Sequence, residues 1–307
     1  MAAESVVNMK TKAPPSKHAD SPWRIALRRF TRNRLAVAGL VILVLMALIC
    51  IVGPWLSPYS LLDYSLKDRN LPPNAKYWLG TDKLGRDILL RVMLAGRISL
   101  MVGIVATVVT VIIGATLGAL AGFYRKYVDS LIMRIADIFM ALPTLPILII
   151  LGAVLSDLKV QPSKRIYLLM LIIGIINWTT LARLVRGQIL TLREQEFMQA
   201  TDALGLKDRR KIFRHLLPNT VPIIIVSATL TVAGAILYES AMSYLGIGVV
   251  PPTPSWGNMI SEANSLIDFR KRPWLWIPPG MCILITTVAI NLIGDGLRDA
   301  LDPKTKK

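Results

Sequence analysis

Cysteine and histidine are nearly missing from this chain: two of each occur in 307 residues, Cys50 and Cys282, His18 and His215. Both cysteines fall inside long apolar runs, where a thiol behaves as a small buried hydrophobe, so neither a disulfide framework nor a cysteine metal centre follows. The histidines lie in separate polar segments and leave zinc or iron without a ligand set. Acidic residues are scarce as well, with 19 Asp and Glu against 36 Lys and Arg and a formal charge of +17. Nucleic acid would explain that charge only weakly, because the basic residues form short clusters beside apolar runs, with no basic stripe interleaved with aromatics and no reader motif. Also absent is any G-x-x-x-x-G-K-[ST] phosphate loop, since no Gly-Lys dipeptide occurs anywhere in the sequence.

What the chain has is apolar surface. Hydrophobic residues make up 53% of it and the mean hydropathy is +0.53, too greasy for an ordinary water-soluble globule. Six uncharged runs stand out, at residues 35–55, 98–124, 138–156, 166–182, 216–238 and 273–294. Each approaches the roughly 20 residues that cross about 30 Å of hydrocarbon, and lipid cannot satisfy free backbone groups, so helices are expected throughout. The first run starts too far along the chain for a secretory signal and ends at Gly53-Pro54-Trp55, so it reads as a retained anchor. In the second, Gly114-x-x-x-Gly118-x-x-x-Gly122 predicts close approach of another helix along one face. The expected fold is an all-α integral membrane protein with six transmembrane helices.

Positive charge sets the expected orientation. With both ends inside, the inner segments hold 23 Lys and Arg and the outer ones 13, which places the N-terminus and C-terminus in the cytoplasm. The expected divisions are a cytoplasmic tail over 1–34, a first span over 35–55, an outer loop over 56–97, a five-span core over 98–294 and a C-terminal tail over 295–307. Residues 1–22, with Pro14, Pro15 and three lysines, read as a solvated tail. Trp23, Ile25, Ala26, Leu27 and Phe30 interleave with five arginines, which fits a helix in the headgroup layer or a plain basic flank.

The inner segment 183–220 carries the most informative pattern. Phe197, Ala200 and Leu204 recur at helical spacing, Gly205 can end a short helix in the left-handed conformation, and Asp208 can cap a second one. Ile212, Phe213, Leu216 and Leu217 then form an apolar face beside Arg209, Arg210, Lys211 and Arg214. By pattern alone such an element is more often a passive interfacial helix pair than a docking site.

Four stretches together resemble a known family. The segment from Glu196 through Gln199-Ala200-Thr201 and Gly205 to Leu217-Pro218-Asn219 resembles the coupling loop of binding-protein-dependent ABC importer permeases, although the usual E-A-A triplet is replaced at two of three positions. Tyr77-Trp-Leu-Gly-Thr-Asp-Lys-Leu-Gly-Arg-Asp87 with Gly96-Arg-Ile-Ser-Leu100, Ser243-Tyr-Leu-Gly-Ile-Gly248 with Pro251-Pro-Thr-Pro-Ser-Trp-Gly257, and Asn291-Leu-Ile-Gly-Asp-Gly-Leu-Arg-Asp-Ala-Leu-Asp-Pro303 are similar to the second permease subunit of dipeptide, oligopeptide and nickel importers. The resemblance extends from about Trp23 to Pro303. It implies a type I ABC importer permease without catalytic residues, metal or cofactor of its own. ATP and magnesium would sit on two ATPase partners, with a homologous second permease and an extracytoplasmic solute-binding protein completing the complex in the cytoplasmic membrane. Glu196, Gln199, Ala200, Thr201, Gly205, Phe213, Leu217 and Pro218 would couple to the ATPases. Peptide is the expected substrate, with nickel or another small solute as the alternative.

Other polar residues admit two readings each. Asp82, Lys83, Arg86 and Asp87 form either local salt bridges on a solvated helix start or, by the resemblance, a surface beside the binding-protein dock. Ser243, Gly246 and Trp256 fall in or beside a Gly- and Pro-rich stretch expected as a re-entrant loop at the outer gate. Asp137 and Glu239 border the lipid near span ends, as interfacial ions, as structural pairs or in contact with the solute. A secondary carrier would carry inverted repeats or mid-span charges, and a membrane enzyme would carry converging nucleophile, base or metal ligands; neither signature is present.

Overall fold

The computed structural model describes residues 22–301. The tail expected over 1–22 lies outside them except for Pro22, as do residues 302–307. The elements are α1 (Pro22–Arg32), α2 (Arg34–Leu56), α3 (Ile88–Tyr124), α4 (Lys126–Ala141), α5 (Thr144–Asp157), α6 (Pro162–Arg193), α7 (Glu196–Ala203), α8 (Asp208–Arg210), α9 (Leu217–Tyr244), α10 (Trp256–Ser261), α11 (Leu266–Lys271) and α12 (Ile277–Leu301). A π-helical stretch at Lys211–Leu216 joins α8 to α9, so Asp208–Tyr244 is one continuous helix. Among the described residues the extended pairing is confined to an isolated bridge between Thr81 and Asp87.

Five of the six expected spans are single long apolar helices: α2, α3, α6, α8 with α9, and α12. The third run differs. It is broken between α4 and α5, which meet at a bend of 85°. The proline ring of Pro143 pushes Leu142 out of the helical region, to φ −92° and ψ 134°, and the helix stops there.

Several spans run past their charge-free stretches, Asp208–Tyr244 among them. Helix α3 begins ten residues early, inside the segment expected as loop 56–97, and α6 continues through Arg193 into the segment 183–220. Several of the charges on these extensions find partners on neighbouring elements. Arg97 donates to the carbonyls of Cys50 at 2.8 Å and Ile51 at 2.6 Å, Arg183 pairs with Asp137, and Arg186 grips Asp129 with both ends of its guanidinium.

Helices α3 and α6 run side by side and parallel. A Cβ at Gly114 would lie 2.8 Å from the Trp178 carbonyl oxygen, one at Gly118 2.4 Å from that of Ala182, and one at Gly122 2.9 Å from that of Arg186. The glycine stripe expected to admit a helix therefore admits α6, whose own Gly174 returns the approach to Ala106 at 2.8 Å. In lipid, where association gains nothing from expelling water, such backbone-to-backbone contact supplies the packing energy. Helix α9 crosses α3 antiparallel, Gly103 meeting Ile236, and α12 lies between α2 and α9.

The helix ends gather into two polar layers. At one end Arg193 donates to the Phe123 carbonyl and Arg125 pairs with Glu194, beside α7 and α8. At the other, Lys83 reaches Asn264 and Trp274 donates to the Thr81 carbonyl, so segments 57–87 and 245–276 fold over each other. Residues 22–32 form a helix, and Phe30 seats it against Ala36, Ile293 and Ala300.

Candidate functional site

At the α7 end a rigid element projects from the bundle. Glu196 occupies the first turn of α7, where a carboxylate suits the positive end of the helix. Gln199 and Ala200 are exposed, Thr201 is buried with its hydroxyl on the Met198 carbonyl at 2.7 Å, and Gly205 ends the helix at φ +64° with open space around its Cα. The inward face is Phe197, Met198 and Thr201 rather than the expected Phe197, Ala200 and Leu204. Leu204 points outward at 76% exposure and Phe213 is 44% exposed, while Ile212 and Leu216 are buried, Leu217 is half-buried and Pro218 is exposed.

The second half of this element also corrects the sequence reading. Asp208 is the first helical residue instead of the cap, which is Lys207, and no break separates this turn from the span above. Pro218 sits at the second position of α9, where a missing N–H is harmless unless a preceding turn needs it. Here a preceding turn exists, and the wider π-helical register at Lys211–Leu216 accommodates the proline without stopping the chain. Lys211 locks the two parts together, reaching Asp202 on α7 at 2.6 Å.

Above the element lies a cavity of about 810 Å³ between α6, α9 and the last turn of α12. Its walls include Asn177, Thr180 and Gln188 of α6 facing Asn219, Ser227 and Thr231 of α9. Arg298 supplies the one charged side chain among the lining residues. Apart from Asn219 and Arg298, which fall in stretches that carry the family resemblance, these residues were not singled out in the sequence. The signal was available, because Asn177 with Thr180 and Ser227 with Thr231 form short polar rows at helical spacing inside apolar spans.

None of the residues expected at the pathway or gate, Asp137, Glu239, Ser243, Gly246 and Trp256, lines this cavity. Asp137, on α4, is exposed and paired with Arg183, off the cavity wall. Glu239 follows the lining residue Tyr238 but is fully buried on another face of α9, where it accepts from Ser243 at 2.6 Å, Ser99 at 2.8 Å and Ser240 at 3.5 Å. Gly246 turns the chain at φ +77°, and Trp256 is wholly buried with its indole N–H on the Val92 carbonyl at 3.1 Å. The stretch between them is a folded turn followed by α10, as the density of Gly and Pro indicates.

Asp82 and Asp87, expected on a solvated helix start, are buried instead. Asp82 is fully buried and accepts from Arg86 and Arg91, each at 2.6 Å, and from the backbone N–H groups of Leu84 and Arg86. Arg91 continues to Glu262, a residue the sequence reading missed, at 2.9 and 2.5 Å. Asp87 caps α3 through the Leu90 N–H at 2.7 Å, and burial holds its carboxyl above the usual range. Nearby, Lys83 at 2.9 Å, together with Ser265 and Arg272, draws the Asp268 carboxyl down to about 2 against the opposing effect of burial.

Comparison with known proteins gives this geometry its family. The model for the N-terminal transmembrane domain of oligopeptide transport permease C matches residues 21–73. A dipeptide transport system permease protein of Alkalihalophilus pseudofirmus is 40% identical over 307 residues, spanning 99% of this chain and 98% of that protein. An oligopeptide transport system permease protein of Bacillus subtilis is 41% identical over 292 residues, 95% of this chain and 93% of that one. One from Haemophilus influenzae is 38% identical over 288 residues, 93% and 90% of the two chains. The model for the binding-protein-dependent transport system inner membrane component matches residues 114–307, and the chain belongs to that family, with its type I ABC permease fold.

Proposed function

We propose that this multi-pass protein of the cytoplasmic membrane is one of two permease subunits in an ATP-driven importer of di- or oligopeptides. The observation that carries the reading is the continuous helix Asp208–Tyr244, which links the exposed element at Leu204, Gly205 and Phe213 to the cavity wall at Ser227, Thr231 and Tyr238. A displacement applied at Phe213 reaches the wall without crossing a joint, and the Lys211–Asp202 pair ties α7 to the same helix. Separate ATPase subunits supply that displacement from the cytoplasmic side, and both chain termini lie on that side, in keeping with the excess of inner Lys and Arg.

The cavity faces a second, homologous permease, and the solute crosses between the two as they rock. Amide and hydroxyl groups on its largely apolar wall, with Arg298 the one charged side chain, suit a peptide, whose backbone offers donors and acceptors all along its length. At the opposite end, exposed Leu62, Trp78, Leu266 and Phe269 beside the buried Asp82–Arg91–Glu262 network form the surface for an extracytoplasmic solute-binding protein. Dipeptide uptake into proteoliposomes holding both permeases, both ATPases and the binding protein tests the reading. Uptake should require ATP, and a cysteine placed at Leu204 should crosslink to an ATPase subunit. Crosslinks to lipid alone, or uptake independent of ATP, would refute it.

A further inference from the structure

Glu239 is a carboxyl group buried in a membrane-spanning helix, and its hydrogen-bond partners are three serines rather than a cation. Each hydroxyl carries a single proton. The backbone N–H of Val249 donates to Ser243 at 2.9 Å and that of Trp256 donates to Ser99 at 3.3 Å. Both hydroxyls thus accept from the segment after α9 and give their protons to Glu239, Ser243 to Oε1 and Ser99 to Oε2. Two amides of one segment reach one carboxyl group, each through one serine, and the two serines belong to different helices, α9 and α3.

The segment held this way is a single folded unit. Asn258 ties it together internally, its side chain donating to the carbonyls of Val249 at 3.1 Å and Thr253 at 2.9 Å while completing a capping box with Ser255. It sits flush on α9: a Cβ at Gly248 would lie 2.5 Å from Ser243, and one at Gly257 2.3 Å from the Ser240 carbonyl. The cavity wall reaches Tyr238, and the serine-lined carboxyl begins at the next residue.

We propose that Glu239 is a positioning residue that holds the segment 245–261 shut over the outer end of the pathway, acting through Ser99 and Ser243 without touching the solute. This rests on the permease reading above for what the pathway carries. The contacts of Glu239 themselves do not depend on the substrate.

The native thiols provide the probe. Cys50 and Cys282 belong to the same packed cluster as Trp256, and a Cβ at Gly96 would meet both Cys50 and the Trp256 ring. Maleimide labelling of these thiols in the assembled transporter therefore reports opening of α10. Glu239→Ala, and separately the double change Ser99→Ala with Ser243→Ala, should raise the labelling rate about tenfold, the effect of losing one or two hydrogen bonds to a charged or polar anchor. ATP hydrolysis without binding protein should rise in the same variants, while the peptide concentration for half-maximal uptake stays at the wild-type value. Glu239→Gln keeps one acceptor oxygen and should restore an intermediate labelling rate.

Wild-type labelling in both variants would overturn the proposal. So would a raised half-saturating peptide concentration with unchanged labelling, which would make Glu239 a solute contact. A loss of all activities that Gln does not relieve would mark a general folding defect and overturn it as well. Failure of the wild-type complex to take up peptide would refute the substrate reading alone, since the labelling needs no peptide.

Discussion

Arg91 on α3 and Glu262 at the end of α10 form a two-pronged pair, Nη1 to Oε2 at 2.9 Å and Nη2 to Oε1 at 2.5 Å, and the same Nη1 also holds Asp82. Removing this cation leaves buried Asp82 with Arg86 as its remaining ion-pair partner and Glu262 with the same Arg86 only at 3.7 Å. Arg91→Met should therefore cost about 3 kcal/mol or more, whereas Glu262→Gln, which keeps an acceptor, should cost about 1 kcal/mol. Thermal unfolding of the purified complex in detergent checks the order, and equal losses would contradict it.

Asp268 gives the polar layer formed by segments 57–87 and 245–276 a pH dependence of definite sign. Its carboxyl is held at about 2 in the folded protein against an ordinary 3.8, so its contribution is complete above 3.8 and disappears as the pH falls toward 2. Asp268→Asn should lower the unfolding temperature at pH 7 and lose most of that difference by pH 2, where the carboxyl is half protonated. A difference of undiminished size at pH 2 would assign the effect to something other than charge.

Two glycines offer opposite outcomes in one pair of helices. Gly118→Val must push α3 from α6, because its Cβ would lie 2.4 Å from the Ala182 carbonyl oxygen. The expected loss is about 2–3 kcal/mol, at the upper end for an overpacked core. Gly187→Ala on α6 meets nothing within 4 Å and should stabilise by up to about 1 kcal/mol through helix propensity. Melting curves of the two single variants decide both.

Arg165 is buried in the first turns of α6 with its Nε unpartnered and its nearest acceptor, the Gly152 carbonyl, at 3.5 Å. Replacing such a cation with an apolar side chain of similar length removes a desolvation cost. Arg165→Met should leave thermal stability unchanged or higher. A loss of about 2 kcal/mol would reveal an anion supplied from outside this chain.

Leu204 should be sensitive for a different reason. It is largely exposed within its own chain, so Leu204→Glu should leave membrane insertion and melting temperature intact. ATP-dependent uptake should fall by at least about tenfold, the effect of putting a charge in place of a central apolar side chain in an interface. Unaltered uptake would remove this residue from the coupling surface.

Much of this architecture could be read from hydropathy, because lipid leaves a helix few alternatives. Failures of that reading have local causes. Charge-free windows ended α3 at Ile98 and α6 at Ala182, yet Arg91, Arg97, Arg183 and Arg186 continue as helix because each finds a carboxylate or carbonyl on a neighbouring element, which no single window contains. The break at Pro143 was encoded, but an unbroken run of apolar letters concealed it. In α7 the apolar residues were identified correctly while their direction was not: Ala200 and Leu204 face outward because the inward position is taken by Thr201, whose hydroxyl is satisfied by its own helix. Glu239 and Asp137 were both marked as notable, but their partners, three serines and one arginine, include residues in distant parts of the sequence.

The unbroken run from Asp208 to Tyr244 also has a consequence for amplitude. At 1.5 Å per residue its 37 residues form a shaft about 55 Å long, so leaning it by about 5° swings the far tip by about 5 Å. A nudge of atomic size at the base, such as sliding one side chain past another, therefore becomes a stroke at the tip as wide as a peptide backbone.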